Sequence, residues 1–325
     1  VNTDNHLLIH RYLDSLQHVR KLSHHTVSNY ARDLDELQVF CQSVDTNLTA
    51  LTTFHIRKCA AQLHAKGLNA RSIARKLSAW RGFFDWLSEQ TTIASNPVEG
   101  IKAPKKSKPL PKAISADDAV HLVSHANPVK QADAPAQLCN LAMFELLYSS
   151  GLRVSELVSL DWQFSKEGAY TSSSWIDLKE AEVFVTGKGN KMRSVPVGKP
   201  AIDAITRWLA VRDTIASPAP AMQDAHALFL SERGTRISVR VAQLRLKAHS
   251  RALGLPTDVH PHVLRHSFAS HVLQSSGDLR AVQELLGHAS IAATQIYTAL
   301  DFQRLAQVYD AAHPRAKKTT DRQDT

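Results

Sequence analysis

The sequence predicts a mainly α protein built as two domains, and three features of the chain carry that expectation. Apolar residues recur at helical spacing through most of its 325 residues, the signature of amphipathic helices. The stretch 103–112, Ala-Pro-Lys-Lys-Ser-Lys-Pro-Leu-Pro-Lys, lacks that periodicity and reads as an exposed, semi-stiff linker. Residues 183–197 instead alternate with period two around Gly-Lys-Gly-Asn, as two strands joined by a turn do. The expected boundaries are 1–107 for a helical N-terminal domain with its linker and 108–325 for a second, α-rich domain with a small antiparallel sheet. With 43% hydrophobic residues, each part can bury its own core.

Upstream of the linker, helices are expected near 4–19, 24–43, 53–66 and 69–90, enough for a four-helix bundle. In the last of them Ile73, Leu77, Trp80 and Phe84 form the core stripe, while Arg71 and Arg75 stand one turn apart on a basic face. Downstream, helices bracket a hairpin at 175–197, followed by helices near 202–210 and 240–252. Residues 164–175, with their Ser172-Ser-Ser run, form an extended loop or hairpin. Pro261 suits a first helical turn, and Val263, Leu264, Phe268, Val272 and Leu273 follow at helical spacing. His262 and Arg265 then share the other face and point together into a cleft. Gly277-Asp278 ends that helix and starts another, whose stripe of Leu279, Val282, Leu285 and Leu286 stops at Gly287. His288 follows just beyond, and Ser290 caps a short helix that carries Tyr297 on its last turn.

The formal charge of +9 favours a polyanionic partner. Cys41, Cys59 and Cys139 are scattered, without metal spacing, as expected of a reducing cytosol. The chain begins Val-Asn-Thr rather than with Met, which suggests a trimmed or shifted start, and it has no long apolar run for a signal peptide or membrane span. Against that background, His-Val-Leu-Arg-His (262–266), Leu-Leu-Gly-His (285–288) and Gln-Ile-Tyr-Thr (295–298) supply the groups needed to attack a phosphodiester. A scissile phosphate gathers charge on its non-bridging oxygens, and guanidinium forks and histidines are donors for it. A tyrosine hydroxyl, assisted electrostatically, can form the covalent intermediate.

This constellation resembles the tyrosine recombinase (phage integrase-like) family. Upstream, Tyr-Ser-Ser-Gly-Leu-Arg-Val-Ser-Glu-Leu (148–157) is similar to that family's first arginine box, which selects Arg153, with Glu156 one turn later; the Gly-Lys-Gly-Asn turn selects Lys188. The resemblance covers nearly the whole chain, including Leu-Ser-His-His-Thr-Val-Ser-Asn-Tyr (22–30) and Phe-Asp-Trp-Leu (84–87). Residues 276–288 and 308–318 resemble its XerC subfamily of chromosome-dimer resolvases, although Ala299 stands where a histidine is expected after Tyr-Thr.

The resemblance implies a SAM-like N-terminal bundle and a catalytic domain that clamp duplex DNA. It implies Tyr297 as the nucleophile forming a 3′-phosphotyrosyl link, Arg153 and Arg265 on the non-bridging oxygens, His288 as a hydrogen-bond donor, His262 as acid/base, and Lys188 protonating the 5′ leaving oxygen. No cofactor, metal or ATP is required, since the phosphodiester energy is stored in the tyrosyl link. Implied partners are a dif-like DNA site, an XerD-like recombinase in a heterotetramer and an FtsK-like translocase, in the cytoplasm, with no membrane. Arg71, Arg75, Lys105, Lys106 and Lys108, with Lys112, are candidates for phosphate contacts, which need charge and reach rather than fixed geometry. The tail from Asp301, with Leu305, Val308 and Tyr309, is too short for a domain; in relatives such a helix docks on a neighbouring protomer. Residues after 316 are expected to be loose.

Other readings are a phage or integron integrase, a type IB topoisomerase-like enzyme, or a DNA-binding protein without catalysis. The 308–318 signature weighs against the integrases, and Tyr297 with two arginines weighs against lost catalysis. Zinc on His260, His262, His266 and His271 is disfavoured because Arg265 sits inside that cluster and repels a cation. His260, His266 and His271 are therefore expected to be packing residues.

Overall fold

A computed structural model of the chain describes residues 2–91, 93, 95–104, 113–125, 134–187, 191–218, 220–255, 259–287, 307–309 and 311–315. The chain forms two compact units, Val1–Pro109 and Leu110–Thr325.

In the first unit, helices α1 (Asn2–His18), α2 (His24–Ser43), α3 (Thr53–Ala65) and α4 (Ala70–Gln90) form the bundle, with a single 3-10 turn at Leu48–Ala50. Ser23 and Asn69 cap α2 and α4 by accepting from the backbone N–H of Thr26 and Ser72. Ile73, Leu77, Trp80 and Phe84 are all buried, as their spacing requires. Lys76 is also buried, which that spacing does not announce. Its ammonium reaches across to α2, donating to Asp33 at 3.0 Å and Glu36 at 2.7 Å. Asp33 is fully buried and pairs with Arg75 as well, while its backbone carbonyl accepts from the Trp80 indole at 2.7 Å. A carboxylate taken from water needs such partners, so Arg75 is tied to α2 although it stays exposed, as Arg71 does.

The second unit is organised on α6 (Pro135–Ser150), buried on all sides from Cys139 to Ser150. Around it lie α5 (Ala116–Ser124), α7 (Val154–Ser159), α8 (Lys199–Arg212), α9 (Met222–Ala225), α10 (Val239–Ala252), α11 (Pro261–Ser276) and α12 (Leu279–Leu286). The expected hairpin is present as β4 (Glu182–Thr186) and β5 (Met192–Pro196), and β3 (Trp175–Asp177) adds a third antiparallel strand in the order β3-β4-β5. Ile176, Val183, Val185 and Val195 face the core. The 164–175 stretch is itself a hairpin, β1 (Lys166–Glu167) against β2 (Tyr170–Thr171), anchored by Tyr170 donating to Asp161 at 2.7 Å. Its half-exposed Phe164 sits edge-on to Trp175, which stacks on Phe184.

Gly277, at φ 66°, ends α11, and Asp278 caps α12 by accepting from the Ala281 N–H at 2.9 Å. Val282, Leu285 and Leu286 are buried, but Leu279 is 55% exposed: it opens the helix on the solvent side, so the buried stripe starts a turn later than its spacing suggests. In the single chain, the described part of the tail sits against α6. The buried Tyr309 hydroxyl lies 2.8 Å from Ser149 Oγ, the His313 ring stacks on Tyr309, and Arg315 donates twice to Glu145 at 2.7 Å. Among the described residues, no helix is long and apolar enough to cross a membrane.

Candidate active site

The site begins where α6 ends. Ser150 donates to the Pro196 carbonyl at 3.0 Å, and Ser149 accepts the Gly198 N–H at 2.9 Å, so the last turn is fastened to the end of the sheet. Gly151 then turns left-handed at φ 56°, and a Cβ there would lie 2.4 Å from Phe268 Cδ1, so only glycine fits. The reversal delivers Arg153 to the N-cap of α7. Its backbone N–H donates to Glu156 at 2.8 Å and its guanidinium donates to the same carboxylate at 2.7 Å.

Glu156, 4% exposed, is shared. Arg193 of β5 donates to both of its oxygens at 2.9 Å, a bidentate fork. Burial works against the Glu156 carboxylate, yet the hydrogen bonds and charges of Arg193 and Arg153 outweigh it and hold the pKa below the usual glutamate value.

Arg265 comes from α11 and donates to the Gly151 carbonyl at 2.6 Å and to the Leu286 carbonyl. Burial first, then the neighbouring charges of Arg153 and Arg193, pull its pKa down to about 10, against the opposing effect of Glu156, so it stays charged at neutral pH. The end of α12 ties the group together. Arg193 donates to the Leu285 carbonyl at 3.4 Å, Arg265 to that of Leu286, and Arg153 to that of Gly287 at 3.4 Å. The last carbonyls of a helix have no intrahelical partner and carry its negative end, so they attract cations. Among the described residues, three guanidinium groups against one carboxylate leave a surplus of two positive charges. Arg153, at 35% side-chain exposure against 7% for Arg193, is the more open of the two that hold Glu156.

On α11, Arg265 turns inward to the carbonyls, while His262, three residues before it, is exposed with its ring 6.1 Å from that of His260. His271 is buried, as expected of a packing residue, and lies 3.0 Å from the Tyr148 hydroxyl. His260 and His266 are exposed rather than packed, because they fall on the solvent side of α11 and its cap. Lys188, His288 and Tyr297 lie outside the described residues, as do Ser290, Lys105, Lys106, Lys108 and Lys112. Next to two of these, Gly187 donates to the Lys191 carbonyl at 2.8 Å, and Gly287, at φ 61°, closes α12. Arg193 escaped the sequence reading. Its signal was a charged residue in the inward phase of an alternating strand, two positions before Val195.

Residues 112–304 match the phage integrase family, and residues 9–91 match the phage integrase N-terminal SAM-like domain. The chain is 56% identical over 318 residues to tyrosine recombinase XerC 1 of Ralstonia nicotianae, covering 96% of this chain and 95% of that protein. It is 45% identical to tyrosine recombinase XerC of Escherichia coli O157:H7, covering 97% and 99%. In fold it is similar to a lambda integrase dimer bound to a core site, with a TM-score of 0.63 at 20% identity over 90% of this chain and 99% of that one. It is similar also to XerH recombinase bound to difH, with a TM-score of 0.59 at 21% identity over 86% and 78%. The chain belongs to the phage integrase family of tyrosine recombinases, enzymes that break and rejoin DNA.

Proposed function

We propose that the chain is a site-specific recombinase of the XerC type that exchanges DNA strands through Tyr297. The observation that supports it most is the pair Arg153 and Arg265, converging with a surplus of two positive charges on the carbonyl end of α12, one residue before His288. A phosphate is the anion such a pair fits, because its developing charge is met by donors fixed before the reaction begins. In this reading Tyr297 attacks the phosphorus, forming a 3′-phosphotyrosyl bond and releasing a 5′ oxygen that Lys188 protonates. His262 takes the tyrosine proton and His288 adds a donor to the phosphate. In the second step the 5′ hydroxyl of the exchanged strand attacks the link and releases Tyr297, so no external energy source enters.

The same reading assigns the linker lysines Lys105, Lys106 and Lys108, with Arg71 and Arg75, to the DNA backbone, and places the domain boundary near residue 107. The substrate is a duplex carrying a dif-like site, the partner an XerD-like recombinase completing a heterotetramer, and the activator an FtsK-like translocase, in the cytoplasm. The test is a nicked suicide duplex that traps the covalent intermediate. Tyr297→Phe keeps the ring but removes the nucleophilic oxygen, so it should bind the duplex and form no adduct on a denaturing gel. Adduct formation by Tyr297→Phe would reject the assignment.

A further inference from the structure

We infer that Arg193 is a positioning residue of the recombination site: by taking up the Glu156 carboxylate, it keeps Arg153 charged toward the DNA phosphate rather than neutralised within its own turn. The inference rests on the functional reading above and deepens it.

Arg153 and Glu156 stand three residues apart on α7, close enough to form a self-contained ion pair at 2.7 Å. Left to themselves they would cancel, and an arginine meant for phosphate would be spent on a neighbour. Arg193 enters from a different element, β5, and its fork engages both carboxylate oxygens at 2.9 Å. Glu156 is then compensated from the core side, by a guanidinium that is itself only 7% exposed. The more open Arg153 keeps a charge to offer. Without Arg193 the surplus in the group falls from two positive charges to one, and Glu156 has Arg153 as its remaining ion-pair partner among the bonds described above.

Arg193 is also held where no substrate contact is needed to explain it. Its Nε donates to the Leu285 carbonyl at 3.4 Å, and a Cβ on Gly287 would come within 3.0 Å of its side chain, so the closing turn of α12 rests on it. One side chain thereby joins the strand leading from the Lys188 turn, the acid that orients Arg153, and the turn preceding His288. This is the placement expected of a residue that acts through others.

A residue that acts through charge and one that only holds the fold differ in how a second substitution relieves their loss. Arg193→Met should slow suicide-substrate cleavage by about tenfold to a hundredfold, below the loss typical of removing a direct transition-state donor, with half-site binding changed less than about threefold. Glu156→Gln placed on top of Arg193→Met removes the carboxylate that Arg153 would otherwise offset, restores the surplus to two, and keeps an oxygen to accept the Arg153 N–H. The double variant should therefore cleave several-fold faster than Arg193→Met alone. Deficits that merely add, with the double variant no faster than Arg193→Met, would overturn the inference, as would unimpaired cleavage by Arg193→Met. Should Arg193→Met fail to fold, Arg193→Gln carries the same comparison, since it removes the charge while keeping an amide donor beside Glu156, and it should be slowed and then relieved by Glu156→Gln; additive deficits there overturn the inference equally. Absence of any adduct with the unaltered chain would instead reject the functional reading itself.

Discussion

Replacing Arg315 with alanine leaves the Glu145 carboxylate in the core without its guanidinium. The side chain of Glu145 is 3% exposed, and both of its oxygens accept from Arg315 at 2.7 Å. Breaking a buried pair by removing one partner costs about 3–5 kcal/mol, and because Arg315 is 17% exposed the lower part of that range, about 3 kcal/mol, is expected. The loss should depend on pH. Burial raises the Glu145 pKa and Arg315 opposes that rise, so the folded state binds the Glu145 proton more tightly than the unfolded chain does. Stability from this group is present below the ordinary glutamate pKa and is lost as pH climbs through the raised value. Removing Arg315 pushes that value higher still, so the deficit should be largest near about pH 8 and shrink toward about pH 5. Urea unfolding followed by circular dichroism at both pH values measures it, and Glu145→Gln on top of Arg315→Ala should recover most of the loss. A change below about 0.5 kcal/mol, of the size expected of exposed surface pairs, would mean that the tail is not seated on α6 in solution.

Three other outcomes are expected. Gly151→Ala combines a left-handed φ of 56° with a Cβ 2.4 Å from Phe268 Cδ1, so it should destabilise the catalytic unit by about 2 kcal/mol or more in the same urea assay. Lys188→Ala should slow cleavage, with rescue when the 5′ bridging oxygen is replaced by sulfur, whose lower proton affinity lessens the need for an acid; a lack of rescue would move that role to another residue. Because guanidinium groups are assigned to the phosphate charge, suicide-substrate cleavage should continue in excess EDTA, and a loss restored by magnesium or zinc would contradict that assignment.

The helical framework was legible because its signals are local. The bundle helices, the Gly277-Asp278 stop and start, and the αL end at Gly287 depend on capping and spacing within a few residues. Arg265 could be placed from the proline-started helix that carries it beside His262, whereas Arg153 was selected by the resemblance of residues 148–157 to the family's first arginine box. What the sequence concealed depends on partners far along the chain. Lys76 reads as one more surface lysine until Asp33 and Glu36 are brought to it, and Arg193, though in the inward phase of its strand, has no visible partner until Glu156 is brought beneath it. Leu279 failed for a simpler reason, since the stripe predicts a face but not where along the helix burial begins. The tail's seat on α6 needs Ser149 and Glu145, 160 and 170 residues away from Tyr309 and Arg315, a pairing that no local pattern encodes.

The central claim is that Tyr297 becomes covalently joined to DNA. Protease digestion of the adduct trapped on a nicked duplex, followed by mass spectrometry, should recover a nucleotide linked through its 3′ phosphate to the peptide containing Tyr297. A nucleotide on any other residue, or a link through a 5′ phosphate, would contradict the account.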